Sequence, residues 1–466
     1  MTMLIKGGLC ALPGSERLER RDLRISGERI VALAPSIDPE PGEIVLDASA
    51  LEVYPGAIDP HVHFDEPGFS HREDFRHGTM AAARGGVTTV IDMPCTSLPP
   101  VTSAANLREK LAVIGDKAVV DFALYGGVSG HLVEEALARD MEALAPDVVG
   151  FKCYFVSGMD TFTAVSHYDF ARAVAKAAEL GRPLLLHAED AGVVLPATAA
   201  MKARSAAEHR EPSWADYVDS RPESAETVAA AAAVALARGR ESALHVVHVG
   251  TAEAAEAVAS SGASCETCPH YLAFDSDDFA DKGSSLKTAP PVKAPGQADR
   301  LWRLLDSGVI SYVTSDHAPA PAAEKRSGSV WTDYGGIPGT GTLFPYLYSE
   351  GLRAGKLGLE AFLRATSGGA AARFGLSGGK GAIAVGKDAD LVLVDPVGSY
   401  VVRGDELLSK GSITPFEGMR LRGSIRLTMV RGRAVWDAET RERSADPAAG
   451  VVVAAGYGKQ LRWGYR

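Results

Sequence analysis

The stretch Ile58-Asp59-Pro60-His61-Val62-His63 decides the fold: a short apolar run ends in two histidines one residue apart. Side chains alternate along a strand, so His61 and His63 project to one side and both imidazoles can hold a single ion of the zinc type. Four more segments repeat the design of an apolar run ending in a metal-competent or titratable residue. They are Val148-Val149-Gly150-Phe151-Lys152, Pro183-Leu184-Leu185-Leu186-His187, Leu244-His245-Val246-Val247-His248 and Ile310-Ser311-Tyr312-Val313-Thr314-Ser315-Asp316-His317. Between them lie helix-like stretches rich in Ala, Leu and charged residues, near 102–114, 166–180, 222–238, 251–261 and 296–306. This alternation predicts an α/β chain of parallel βαβ units closed into a (β/α)8 TIM-like barrel. The C-terminal strand ends of such a barrel converge, so these endings become neighbours and together suggest a metal centre.

The 466 residues exceed one such barrel, roughly 250 residues, by about 200. The surplus sits at the two ends. Residues 1–54 carry strand candidates at Met3-Leu4-Ile5, Leu23-Arg24-Ile25 and Ile30-Val31-Ala32-Leu33; the C-terminal part, from 381 to 466, carries Leu391-Val392-Leu393-Val394, Ser424-Ile425-Arg426-Leu427-Thr428-Met429-Val430 and Ala434-Val435-Trp436. Pairing the two pieces gives a small β-sandwich beside a catalytic barrel spanning 55–380.

The composition is that of an ordinary globular chain, 46% hydrophobic. A net charge of −11 argues against nucleic acid or an anionic membrane as partner. No uninterrupted apolar run reaches the roughly 18 residues that span a bilayer. Without a charged start followed by a long apolar core, the expected location is cytoplasmic. Five cysteines do not make a disulfide framework, and Cys265-Glu266-Thr267-Cys268 lacks the second pair that a structural zinc site needs.

Lys152 sharpens the chemistry. An ordinary ammonium among metal ligands would be repelled by the cations. Carboxylation by carbon dioxide would turn it into a carbamate, N6-carboxylysine, whose two oxygens can bridge two metals.

The chain resembles the cyclic amidohydrolases, the group that holds dihydroorotase, dihydropyrimidinase (hydantoinase) and allantoinase. The resemblance spans nearly the whole chain and rests on Pro55-Gly56-Ala57-Ile58-Asp59-Pro60-His61-Val62-His63, Gly85-Gly86-Val87-Thr88-Thr89, Gly150-Phe151-Lys152, His187-Ala188-Glu189, His248-Val249, Cys268-Pro269-His270-Tyr271, Ser315-Asp316-His317-Ala318-Pro319 and Gly386-Lys387-Asp388-Ala389-Asp390. It implies two divalent metal ions, zinc first, with cobalt, manganese or iron as alternatives. His61, His63 and Asp316 would hold one, His187 and His248 the other, and carboxylated Lys152 would join them. Asp316 would be the catalytic base and acid, the substrate a small cyclic amide, and the assembly a homo-tetramer.

Within the group, the Arg of a His-x-His-x-Arg dihydroorotase motif is absent: Asp65 stands there. The hydantoinase tyrosine is out of register, since Tyr154 follows Lys152 too closely. Most similar are the allantoinases, through His61-Val62-His63-Phe64-Asp65-Glu66-Pro67-Gly68, Ser220-Arg221-Pro222, Gly335-Gly336-Ile337 and Ser412-Ile413-Thr414-Pro415-Phe416-Glu417-Gly418. Ring opening of allantoin is therefore the expected reaction, with a hydantoin-like ring or an imide as the alternative. His270, His317, Asp65 and Gly336 are the expected substrate-binding residues; for His270 and His317, support behind the metal ligands is the alternative to substrate contact, and either is favoured over ligation. A metal-free scaffold relative would have lost ligands, and a single-metal deaminase would not need Lys152. Glu66, Glu73 and Asp74 read as capping or loop-fixing groups, and His71, His77, His131, His167, His209 and His245 as structural.

Overall fold

The computed structural model describes residues 2–466, and the side chains of these except at 132–135. The N-terminal segment forms β1 (Thr2–Cys10), β2 (Glu19–Ser26), β3 (Arg29–Ala34), β4 (Ile44–Asp47) and β5 (Glu52–Pro55). Parallel strands follow: β6 (Ala57–Val62), β7 (Val87–Asp92), β8 (Asp121–Leu124), β9 (Gly126–Gly127), β10 (Phe151–Tyr154), β11 (Leu184–His187), β12 (Leu244–Val246), β13 (Ser264–Thr267) and β14 (Tyr312–Val313). The C-terminal segment adds β15 (Leu391–Val401), β16 (Arg420–Val430) and β17 (Arg433–Asp437).

The parallel strands form two sheets, ordered β6-β7-β8 and β14-β13-β12-β11-β10-β9. Every residue of β6, β7, β8, β10 and β11 is buried. Burial on both faces is what helical crossovers impose on parallel strands, and it explains their unbroken apolar runs. The crossover helices start where polar side chains take up free amides. Asp74 caps Phe75–Arg84, Ser103 caps Ala104–Ile114, Ser166 caps His167–Glu179, and Asp190 caps Ala191–Ala207. The helices expected from the sequence lie where they were placed, the last of them as Gln297–Ser307.

Strand ends fall differently. Lys152 lies inside β10 rather than at its end, His248 two residues beyond β12, and Asp316 three beyond β14. The apolar runs outlast the hydrogen-bonded ladder because the loops that follow them are also buried.

The two chain ends share one sheet, joined edge to edge where β5 pairs antiparallel with β15, Pro55 opposite Leu391 and Val53 opposite Leu393. Its order is β17-β16-β15-β5-β1-β2-β3, with β4 beside β1. It encloses a core of its own that includes Ile5, Leu23, Ile30, Val53, Leu391, Leu393 and Met429. The C-terminal tail then returns to the parallel strands, where the Leu461 N–H donates to the Phe122 carbonyl. No helix among the described residues is long and apolar enough to cross a membrane.

A buried ionic cluster ties this sheet to β8. Lys380 Nζ lies 2.6 Å from Asp121 Oδ2, 2.7 Å from Asp390 Oδ2 and 3.1 Å from Asp388 Oδ2, while Arg431 Nε reaches Asp121 at 3.1 Å. Removing one partner of such a cluster strands the others without compensation, at a cost of about 3–5 kcal/mol. Lys380→Met should therefore lower the denaturant midpoint by a corresponding amount in equilibrium unfolding, whereas an exposed control such as Lys202→Met should leave it unchanged.

Candidate metal centre

The strand ends bring His61, His63 and Asp316 together. Asp316 Oδ1 lies 3.3 Å from His61 Nε2 and 3.4 Å from His63 Nε2. A tetrahedral ion with bonds near 2.1 Å would hold its ligands about 3.4 Å apart. Beside this trio, His187 Nδ1 faces His248 Nε2 at 3.0 Å, and the His61 and His248 rings are 5.4 Å apart between centroids. Lys152 Nζ lies 4.9 Å from the centre of the Tyr154 ring, which stacks on His187 at 5.0 Å.

Hydrogen bonds behind the imidazoles aim them. Glu266 on β13 accepts from His61 Nδ1 at 2.8 Å, which leaves the Nε2 lone pair facing the Asp316 oxygen. The other oxygen of Glu266 meets His245 Nε2 at 3.1 Å, and Tyr312 OH lies 2.9 Å from the same nitrogen. Glu189 accepts from His187 Nε2 at 3.0 Å and is itself paired with Arg221. Two lone pairs directed at one point repel unless a cation lies between them. The donor set therefore fits metal, and two buried atoms without any partner, Lys152 Nζ and His248 Nδ1, fit it as well.

Burial shifts the titrations in the same sense. It holds the Lys152 amine below its usual value and the His61 and His248 rings well below theirs. Against the upward push of burial, His61, His63 and His248 keep Asp316 well below the carboxylate range. His248 and Asp316 also sit at positive φ, 40° and 50°. Side-chain-bearing residues adopt this region at a cost of about 1–3 kcal/mol when the surroundings demand it, commonly at functional sites.

Of the expected substrate-binding residues, His270 is fully buried, neither ring nitrogen has a partner, and burial pushes its pKa down to about 4. The carboxyl of Asp65, likewise buried and unpartnered, is pushed up to about 7 by burial. His317 has the bonds of the supporting role. Its Nδ1 accepts from the Gly339 and Thr340 amides at 3.1 and 3.3 Å and its Nε2 meets Glu73 at 3.2 Å, so both nitrogens are spent on the scaffold. The Gly336 amide is also committed, to the Lys287 carbonyl at 2.9 Å. Glu73, Asp74 and Glu66 fix loops and caps as read from the sequence: Glu66 Oε2 accepts from the Phe75 amide at 3.1 Å.

Sequence reasoning missed Glu266 and Cys95. Glu266 was hidden between two cysteines, and its partner His61 is 205 positions away. An isolated carboxylate in a buried strand was the available signal. Cys95 Sγ lies 3.7 Å from His63 Nδ1 and 3.1 Å from Tyr154 OH.

The pattern of the Amidohydrolase family matches residues 53–435. The chain belongs to the amidohydrolase family. It is 37% identical over 441 residues to an allantoinase of Rubrobacter xylanophilus, covering 93% of this chain and 94% of that one. An Escherichia coli K12 allantoinase is 34% identical over 449 residues, covering 94% and 95%. Among solved structures, the L-hydantoinase (dihydropyrimidinase) of Arthrobacter aurescens superposes with a TM-score of 0.89 at 30% identity over 99% of both chains. The dihydropyrimidinase of Brevibacillus agri gives 0.89 at 28% identity over the full length of both.

Partners behind a metal-ligating histidine are worth about 10–100-fold in metal affinity. Glu266→Gln should raise the Kd for zinc by that factor in competition with a chromophoric chelator, with His61 left in place.

Proposed function

We propose that this amidohydrolase opens the hydantoin ring of allantoin by hydrolysis to the ureido acid, at a binuclear centre of zinc-type ions. A closed (β/α)8 barrel beside the end-built β-sandwich is the architecture we assign to it. The parallel bridge between Val62 and His317 and the hydrogen bond from Val149 N–H to Leu124 O, which link the two parallel sheets, support that closure. The observation that carries the reaction is Lys152: a fully buried amine, without a partner, beside two groups of inward-facing imidazoles.

Burial lowers the pKa of this amine, which favours the free base that attacks carbon dioxide. Its nitrogen forms the N–C bond, a proton leaves, and the resulting carbamate supplies two anionic oxygens where a bare ammonium would repel cations. His61, His63 and Asp316 would hold one ion, His187 and His248 the other, and carboxylated Lys152 both. Bound there, divalent cations lower the pKa of water and polarise a carbonyl oxygen.

Asp316 takes the proton of the attacking water as its oxygen bonds to the ring carbonyl carbon. It delivers that proton to the ring nitrogen as the C–N bond breaks, because an unprotonated amide nitrogen is a poor leaving group. Burial of the cluster excludes bulk water that would compete for the proton. His270, with two free nitrogens, and Asp65 are the side chains we assign to substrate contact; His317 and Gly336 act by shaping the wall.

Allantoin ranks first because the two relatives compared above in sequence are allantoinases and because Asp65 would repel the carboxylate of dihydroorotate. A second reading, a simple hydantoin or dihydropyrimidine ring, is favoured by Tyr154. Although out of the hydantoinase register, its hydroxyl stands beside Cys95 at the edge of the cluster.

Lys152→Ala should lose bound metal and nearly all turnover, with partial rescue by added short carboxylic acids; an Ala variant that keeps two metals and full activity overturns the carbamate. Asp316→Asn should reduce kcat by about 10²–10⁴-fold at saturating metal. Substrate rank is tested by kcat/KM on allantoin, hydantoin, dihydrouracil and dihydroorotate, where equal or better use of dihydroorotate reverses it.

A further inference from the structure

Asp65 presents a problem that the reaction above does not solve. It is fully buried, neither carboxyl oxygen has a hydrogen-bond partner, and its φ of 58° lies in the left-handed region. The Thr96 hydroxyl lies near it without completing a hydrogen bond. Arg72 is committed elsewhere, to Glu324 Oε2 at 2.7 Å and to the faces of the Phe69 and Tyr334 rings. A buried acceptor pair left without donors is destabilising. The fold carries that cost beside its reactive cluster: Asp65 follows His63 by two residues, and the Thr96 hydroxyl lies 3.4 Å from His63 Nδ1.

What would satisfy two carboxyl oxygens side by side is a pair of parallel N–H donors, the arrangement by which a guanidinium grips a carboxylate. A ureido group, –NH–CO–NH2, offers such a pair along one edge. An alkyl substituent offers none, and a carboxylate adds a like charge. We propose that Asp65 is a specificity-determining residue that accepts both N–H groups of a ureido arm on the substrate ring. The inference rests on the cyclic-amide reading and deepens it by naming the substituent that the pocket recognises.

Sites built to hydrogen-bond a substrate group discriminate strongly against an analogue without it, because their own buried atoms are then left unpaired. The test compares kcat/KM for allantoin and for hydantoin, the same ring without the arm, in metal-loaded wild type and Asp65→Asn. An amide of the same size keeps one acceptor and turns the other into a donor.

The wild type should favour allantoin by about tenfold or more, and Asp65→Asn should lower that ratio by about tenfold or more. Asp65→Ala should give the same shift, and carries the comparison if the Asn variant does not fold. A ratio unchanged within about threefold, or equal losses on both rings, overturns the assignment. A wild type that opens hydantoin but not allantoin overturns it and leaves cyclic-amide hydrolysis standing. A wild type that opens neither ring overturns the reaction and the inference with it.

Discussion

Mutual repulsion between inward-facing lone pairs is the constraint on which this molecule is organised. His61, His63 and Asp316 direct donor atoms at one point from 3.3–3.4 Å, and His187 and His248 do the same at 3.0 Å. A proton can bridge one such pair, as in the hydrogen bond between His187 and His248, but cannot take all of these lone pairs at once. Two of the rings are also locked from behind, His61 by Glu266, which meets His245 as well, and His187 by Glu189, which is paired with Arg221. A site of this kind costs stability until cations fill it, and their binding then contributes to the folding free energy.

Holding such an arrangement requires a scaffold that does not yield. Parallel strands buried on both faces supply it, since a shift of one strand would disturb packing on two sides at once. The loops above them are tied across large sequence distances. Glu324 joins His71 at 2.8 Å and Arg72 at 2.7 Å, and Ser409 donates to Glu73 at 2.6 Å. On the far side of β8, the Lys380 cluster binds the sheet made from both chain ends to the strands that carry the ligands.

Helix positions and the succession of strands were legible in the sequence because burial and capping leave local signatures: apolar runs, period, and a Ser or Asp before each helix. Strand ends were less legible. Lys152 reads as terminal yet lies within β10, since buried loops are as apolar as the strands they follow. For His317, just past a strand end, the sequence left substrate contact and support behind the ligands both open; Glu73 and the amides of Gly339 and Thr340 engage both of its nitrogens.

By itself the sequence determined the inventory: a repeating β/α chain, six residues of ligand type at successive strand ends, and two β-rich ends that match each other. The tertiary structure alone decided which of these meet and what each still has free. Glu266 became a partner of His61 only because β6 and β13 converge, and Asp65 stood out only because its oxygens lacked donors. The reason is physical. Periodicity is set by neighbours in the chain, whereas the satisfaction of a buried polar atom is set by groups that folding brings from hundreds of residues away.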